Sequence, residues 1–397
     1  MKKNFLIITI FLLLITYIYY CYISLLPDSI YMDPNLNYNF RCLPFINIQV
    51  TEEMYYDNKN NSIIEVSFLN KIPIKNINII DIENIKIIPI GNIIGLKLYT
   101  NGVLIVGFSE LKDKNNVTIS SASNSDIKEG DIIISINDFE IDDIKTLKEV
   151  VSNSSGDILN LELLREGNII NTSIKPVEVS NKEYKLGLWV KDAATGVGTI
   201  SFYEPESRMF AALGHGITDS DTNKLIDIDY GEVVTSKILT VKKSENGNPG
   251  EIRGTIINQN KIGEVLKNTN FGVYGILDDL TFLNINVEDT LNIAKRDEIE
   301  VGKAKIKCIV DDSNIAKYYE VEIQKIFLDN NYNNKSMQIK ITDDELLNKT
   351  GGIVRGLSGA PIIQNGKFIG VITNVLVSKP EVGYAVFADI MIENLQK

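Results

Sequence analysis

The longest apolar run of the chain, Phe5 to Leu26, is broken only by Thr9, Thr16 and Ser24 and follows Lys2 and Lys3. About 20 apolar residues are enough for a helix to span a bilayer. A cleavable signal has a shorter apolar core, followed by small residues, whereas Tyr17 to Tyr22 is bulky. Positive charge ahead of the run keeps the N-terminus cytoplasmic. Residues 1–27 are therefore expected to be a signal anchor and single transmembrane helix, with everything downstream translocated. After Pro27 the pattern changes. Pro27 to Phe40 reads as a linker, and the short alternating segments Ile63–Phe68 and Ile77–Ile80 read as strands. The stretch 28–94 is thus expected to be a linker and small β-rich region without chemistry of its own.

From Gly95 the periodicities mix. Gly95–Leu98 and Gly102–Gly107 are expected as paired strands, and Ile127–Asp138 as a turn at Gly130 leading into an apolar strand. Ile144–Val151 has helical spacing, with Leu147, Val150 and Val151 on one face, and Leu159–Leu163 alternates as a strand. This order, with the string IKEGDIIISINDFEI, resembles bacterial PDZ domains such as those attached to secreted serine proteases. The resemblance implies a PDZ-like α/β module over 95–178 that takes up peptide C-termini, or a segment of its own chain, as an added strand. The binding loop is expected near Gly95, Leu96, Lys97 and Leu98. A rigid spacer or autoinhibitory lid is the other use of such a module.

Composition narrows the partners. The 397 residues suffice for two or three domains, and the net charge of −12 repels phosphate backbones, so nucleic-acid binding is not expected. The chain has one histidine and three cysteines, without a Cys-x-x-Cys pair, so no metal site and no cofactor are expected. Whether Cys42 pairs with Cys308 is left open.

That one histidine, His215, lies in Leu213-Gly214-His215-Gly216, where flanking glycines leave the ring accessible. Far downstream stands Gly356-Leu357-Ser358-Gly359-Ala360-Pro361, followed by a strand, the turn Asn365-Gly366 and Gly370-Val371. A serine among small residues resembles the nucleophile loop of chymotrypsin-like proteases. Glycine lets the backbone N–H groups of Gly356 and Ser358 converge on a developing oxyanion. The expected chemistry is acyl transfer, with Ser358 as nucleophile and His215 as base. An acid should fix the imidazole tautomer, and the residues leave Asp278, Asp279, Asp343 and Asp344 open; Asp343 stands only 15 positions before Ser358, closer than chymotrypsin-like enzymes place their acid.

Taken together, the anchor, the PDZ-like module and the segments around Leu213-Gly214-His215 and Thr342-Asp343 to Pro361 resemble the stage IV sporulation protein B (SpoIVB) peptidases of endospore-forming bacteria. The resemblance implies a mostly β fold with a chymotrypsin-like double β-barrel over 185–397, and the triad His215, Asp343 and Ser358. It implies a membrane-anchored serine endopeptidase in the forespore inner membrane that faces the intermembrane space. Such peptidases cleave themselves, then cut the extracytoplasmic part of a membrane regulator and so trigger intramembrane proteolysis and late sigma-factor activation. Asn374 stands where a histidine is expected in such chains, which leaves His215 as the only imidazole. The rival readings are a non-catalytic PDZ adaptor with a degenerate protease fold, and an HtrA-type protease, in which the PDZ domain would follow the protease rather than precede it.

Overall fold

In the computed structural model the described residues are 29–31, 46–50, 62–68, 71–80 and 85–396 apart from 284, 287 and 328–334, with a few isolated positions before residue 21. Among them no helix is long and apolar enough to cross a membrane; the anchor expected over 1–27 lies almost wholly outside the described residues. The chain divides into two compact units, Met1–Ile85 and Lys86–Lys397. The first holds a four-stranded sheet in the order Ser29–Tyr31, Ile72–Ile80, Ser62–Phe68, Ile46–Val50. The strands expected at Ile63 and Ile77 are in it, with Val66 and Ile77 buried.

The second unit is built on two β-barrels. Strand Ile93–Phe108 pairs with both Leu188–Glu204 and Tyr230–Lys242. The circuit continues through Glu251–Thr269, Gly272–Leu277 and Met209–Ala212, and returns to Leu188–Glu204. These six strands close a first barrel around Leu96, Leu98, Ile200, Phe210, Val233 and Val273. The second barrel is Gly302–Cys308, Lys317–Ile326, Met337–Ile341, Val382–Phe387, Lys367–Val375 and Pro361–Gln364. Ile306, Val321, Ile339, Leu357, Ile362 and Ile372 fill it. Cys308 is a free thiol buried in this barrel, and burial pushes its ionisation well up.

The segment between the first two barrel strands forms an α/β insert. Gly95–Leu98 and Gly102–Gly107 are one strand of 16 residues, Ile93–Phe108, rather than a pair. At Gly102 the backbone takes φ +108°, and a Cβ there would meet the Ile133 carbonyl oxygen at 2.3 Å. Only glycine permits this bend. It lets the first half of the strand serve the barrel while the second half pairs with Ile132–Ile136. The partner strand Leu188–Glu204 slips register between Lys191 and Ala193, opposite the bend. The module expected over 95–178 is thus threaded into the barrel expected from 185, because both share these two long strands.

Helix Ile144–Asn153 begins where Asp143 caps the Thr146 N–H at 2.7 Å and buries Leu147 and Val151. They join Val103, Ile133, Leu161 and Leu163 in the insert core. Asp131, wholly buried, receives the Arg165 guanidinium on both oxygens at 2.7 and 2.8 Å, and the Lys128 N–H at 2.7 Å. Removing one partner of a buried pair costs about 3–5 kcal/mol. Asp131→Ala is therefore expected to lower the stability of the insert by about 3 kcal/mol, read as a lower urea midpoint; an unchanged midpoint would show that the pair carries no stability.

Candidate active site

The two barrels meet at a seam where the loops of His215 and Ser358 face one another. Met209–Ala212 ends in a sharp turn. Leu213 takes φ +72° and Gly214 φ +69°, and the Leu213 N–H donates to the Thr199 carbonyl at 3.1 Å. A buried leucine in the left-handed region is held there only by its surroundings. Gly214 rests on the second barrel, where a Cβ would lie 2.5 Å from Val371 Cγ2 and 3.4 Å from the Ile372 oxygen.

The nucleophile loop reaches the same strand from the other side. Helix Asp344–Thr350 ends at Gly351, and the chain then runs along the first barrel: Arg355 N–H donates to Gly250 O at 2.9 Å, and Thr199 Oγ1 to Gly356 O at 2.6 Å. Ser358 Oγ donates to the Thr373 carbonyl at 2.8 Å, and the Gly359 N–H to that of Ile372 at 2.7 Å. A Cβ on Gly359 would stand 2.6 Å from the Leu213 nitrogen. The close approach of Gly359 to Leu213 is one residue from Ser358 and two from His215, and Ser358 and Gly214 both lie against Thr373. Among the described residues, the N–H groups of Gly356 and Ser358 donate to no protein acceptor, and both residues are partly exposed. Two such donors beside a hydroxyl are what an oxyanion requires.

The acids are placed otherwise. Asp343 accepts from the Leu346 N–H at 2.9 Å and the Glu320 N–H at 3.3 Å, capping the helix that leads into the nucleophile loop. Its carboxylate makes no hydrogen bond to His215, in contrast to the ring-orienting role that the resemblance implies. Asp344 is exposed in the first helical turn, Asp278 pairs loosely with Arg208 at 3.9 Å, and Asp279 caps Thr281. The ring Nδ1 instead lies 2.9 Å from the Gly216 carbonyl oxygen. Asn268, which the sequence does not single out, holds the following residues: Oδ1 accepts from Ile217 N–H, and Nδ2 donates to the carbonyls of Ile217 and Ile226, each at 2.8 Å.

Further along this loop, buried Asp219 accepts from the Asp221 and Thr222 N–H groups and from Lys191 Nζ at 2.8 Å. Burial pushes its carboxyl up, but these bonds outweigh burial and hold it below the ordinary carboxylate value. Gly95, Leu96, Lys97 and Leu98 sit in the barrel wall, paired on one edge with Thr195–Val197 and Ala194 and on the other with Gly231–Val234. With both edges taken, this segment has no room for an added strand, so the peptide loop expected there is corrected. Asn374 is exposed beside Thr373. No cluster of metal-ligating side chains occurs among the described residues.

Two six-stranded barrels with a serine and a histidine loop facing across their seam define a serine peptidase of the double-barrel class. A sequence model described as "SpoIVB peptidase S55" matches residues 182–392, more than half of the chain, and the chain belongs to that family. No curated protein sequence matches. Among solved structures, the HtrA-type protease AlgW with a decapeptide aligns at TM-score 0.29 and 12% identity, over 52% of each chain. AlgW with a tripeptide aligns at TM-score 0.30 and 13% identity, over 62% of this chain and 61% of that one. The chain thus spans about half the length of the first of these structures, and the double-barrel assignment rests on the strand pairing itself.

The capping geometry of Asp343 has a direct test. Asp343→Ala is expected to cost about 1 kcal/mol of stability and to loosen the nucleophile loop, whereas Asp343→Asn and Asp343→Ser, which cap as well, should retain turnover within about tenfold. A loss on the order of 10⁴-fold in a folded Asp343→Asn protein would instead put the carboxylate on the ring.

Proposed function

We propose that the protein is a membrane-anchored serine endopeptidase of sporulation that cleaves itself and cuts the extracytoplasmic part of a membrane regulator, setting off intramembrane proteolysis and late sigma-factor activation. The observation that carries the peptidase reading is the joint seating of Ser358 and the His215 loop on Ile372 and Thr373. Ser358 Oγ turns from the Thr373 carbonyl to attack the scissile carbonyl carbon. His215 Nε2 takes the hydroxyl proton and passes it to the leaving amine, and the Gly356 and Ser358 N–H groups hold the oxyanion. Water then enters by the same route and releases the acyl group. Asp343 acts through the helix it caps, which leads into the loop of Ser358. The match to the SpoIVB peptidase family supports the sporulation setting and the membrane regulator as a proposal, and the apolar run Phe5–Leu26 supports the anchor.

The insert supports capture of a protein segment. Strand residues Leu188–Val190 pair on one edge with Ile105–Phe108. Beside them and helix Ile144–Asn153 lies a groove of about 610 Å³, whose walls include Leu111, Leu147, Val151, Leu186 and Trp189. A strand beside an apolar helix face suits an extended peptide, as in PDZ domains.

Ser358→Ala and His215→Ala are each expected to lower peptide hydrolysis by about 10⁴–10⁶-fold, and a phosphonate probe should label Ser358 in the unaltered protein alone. Absence of labelling in the folded, unaltered protein would favour the adaptor reading. The groove has its own reporter, because Trp189 is the chain's single tryptophan and is 63% exposed. Apolar peptides with a free carboxyl end should shift its emission saturably, and Leu147→Glu should abolish the shift; an identical titration in that variant would remove the groove from the peptide path.

A further inference from the structure

Resting on the reading of His215 as the base, we propose that Asn268 is the positioning residue of the imidazole, acting through the Gly216–Ile217 peptide in place of a carboxylate. The Gly216 carbonyl and the Ile217 N–H belong to one planar trans peptide and point in opposite directions. On the N–H side, Asn268 Oδ1 accepts from Ile217 at 2.8 Å. On the carbonyl side, His215 Nδ1 lies 2.9 Å from the Gly216 oxygen. One side-chain amide thus fixes the plane whose other edge meets the ring.

The amide itself has little freedom. Its Nδ2 protons go to the Ile217 and Ile226 carbonyls, both at 2.8 Å, so that it ties the two ends of the loop together. Asn268 is carried on strand Glu251–Thr269 and paired with Val273. The peptide is also backed from behind: a Cβ on Gly216 would lie 2.5 Å from the Thr269 oxygen and 2.2 Å from Leu225 Cδ1. It can neither rotate nor retreat without breaking these contacts.

The consequence for the ring is chemical. A carbonyl oxygen only accepts, so the bond requires the proton on Nδ1 and leaves the Nε2 lone pair to receive the serine proton. The carboxylates that could compete are engaged elsewhere. Asp219 is bound to Lys191, Asp221 and Thr222, and Asp343 to Leu346 and Glu320. A neutral relay therefore does the tautomer-setting that a triad aspartate does in other serine peptidases.

A chain with one histidine gives one imidazole spectrum. The full chain carrying Ser358→Ala, solubilised in detergent and labelled with ¹⁵N-histidine, is to be recorded at about pH 8.5, above the ordinary imidazole range. The expected tautomer is Nδ1–H. Adding Asn268→Ala should shift it towards the Nε2–H form that free imidazole prefers. With Ser358 intact, Asn268→Ala should lower kcat about 10²-fold with KM little changed. Asn268→Asp keeps an acceptor for Ile217 and should restore the Nδ1–H tautomer and part of kcat. An Nε2–H tautomer with Asn268 in place would overturn the proposal, as would a folded Asn268→Ala protein with unchanged tautomer and kcat. Should the alanine variant fail to fold, the tautomer of the Asn268-containing chain and the aspartate variant still decide it. Activity surviving in His215→Ala would refute the peptidase mechanism instead, and leaves the tautomer measurement readable on its own.

Discussion

The closeness of the two barrel backbones at Gly214 and Gly359 sets everything else at the seam. Neither position has space for a side chain: a Cβ on Gly359 would lie 2.4 Å from the Thr199 oxygen, and one on Gly214 2.5 Å from Val371 Cγ2. Because the chains touch there, the residues next to the contacts, His215 and Ser358, project from fixed backbone rather than from free loops. Leu213 stays in its left-handed conformation because its N–H is bound to Thr199 and its side chain is buried. Strain of this kind, about 1–3 kcal/mol per residue, persists only where the surroundings over-determine it. Thr199 is the common anchor, since its carbonyl holds Leu213 and its hydroxyl holds Gly356.

The same strand that carries Thr199 begins in the insert. Leu188–Val190 border the apolar groove, Lys191 reaches to Asp219 and Asp221 in the His215 loop, and Thr199 holds both catalytic loops. The insert also leans on the loop directly, with the Lys224 side chain over Gly130 and its Nζ 3.7 Å from Glu166. Threading the insert into the barrel, rather than stringing the two along the chain, is what brings these contacts about. A module joined by a linker would share no strand with the active site. Here a segment bound beside Trp189 would rest on the strand that supports the nucleophile loop.

Much of this was legible from the sequence, and the failures have physical reasons. The nucleophile loop could be read because its chemistry demands small residues in a row, and the helix at Ile144 because its apolar face repeats at helical spacing. The strand at Leu159 alternates and the one at Ile132 is an apolar run behind the Gly130 turn, so they too are legible. The unity of Ile93–Phe108 could not, since Gly102 looks like a turn and serves as a bend within one strand. A turn at Gly102 would start the barrel later and leave Gly95–Leu98 for a peptide, whereas the barrel holds that segment between two partners. Asn268 carried no signal, because its role depends on a loop some fifty positions away. Asp343 carries a signal that reads two ways: an acid ahead of Glu345 and Leu346 is as good a helix cap as a triad member.

Why a peptidase would orient its base with neutral groups can be argued from burial. Leu213, Gly214 and Gly359 are buried and His215 and Gly216 half-buried, and a carboxylate brought in beside the ring would lose part of its hydration. A peptide carbonyl held by Asn268 fixes the tautomer without that desolvation. It also offers less to the imidazolium formed during proton transfer than a full negative charge would, so the arrangement trades rate for stability of the apo site. Ser358, whose hydroxyl rests on the Thr373 carbonyl, points the same way: the hydroxyl must give up one hydrogen bond before it can form the one that activates it.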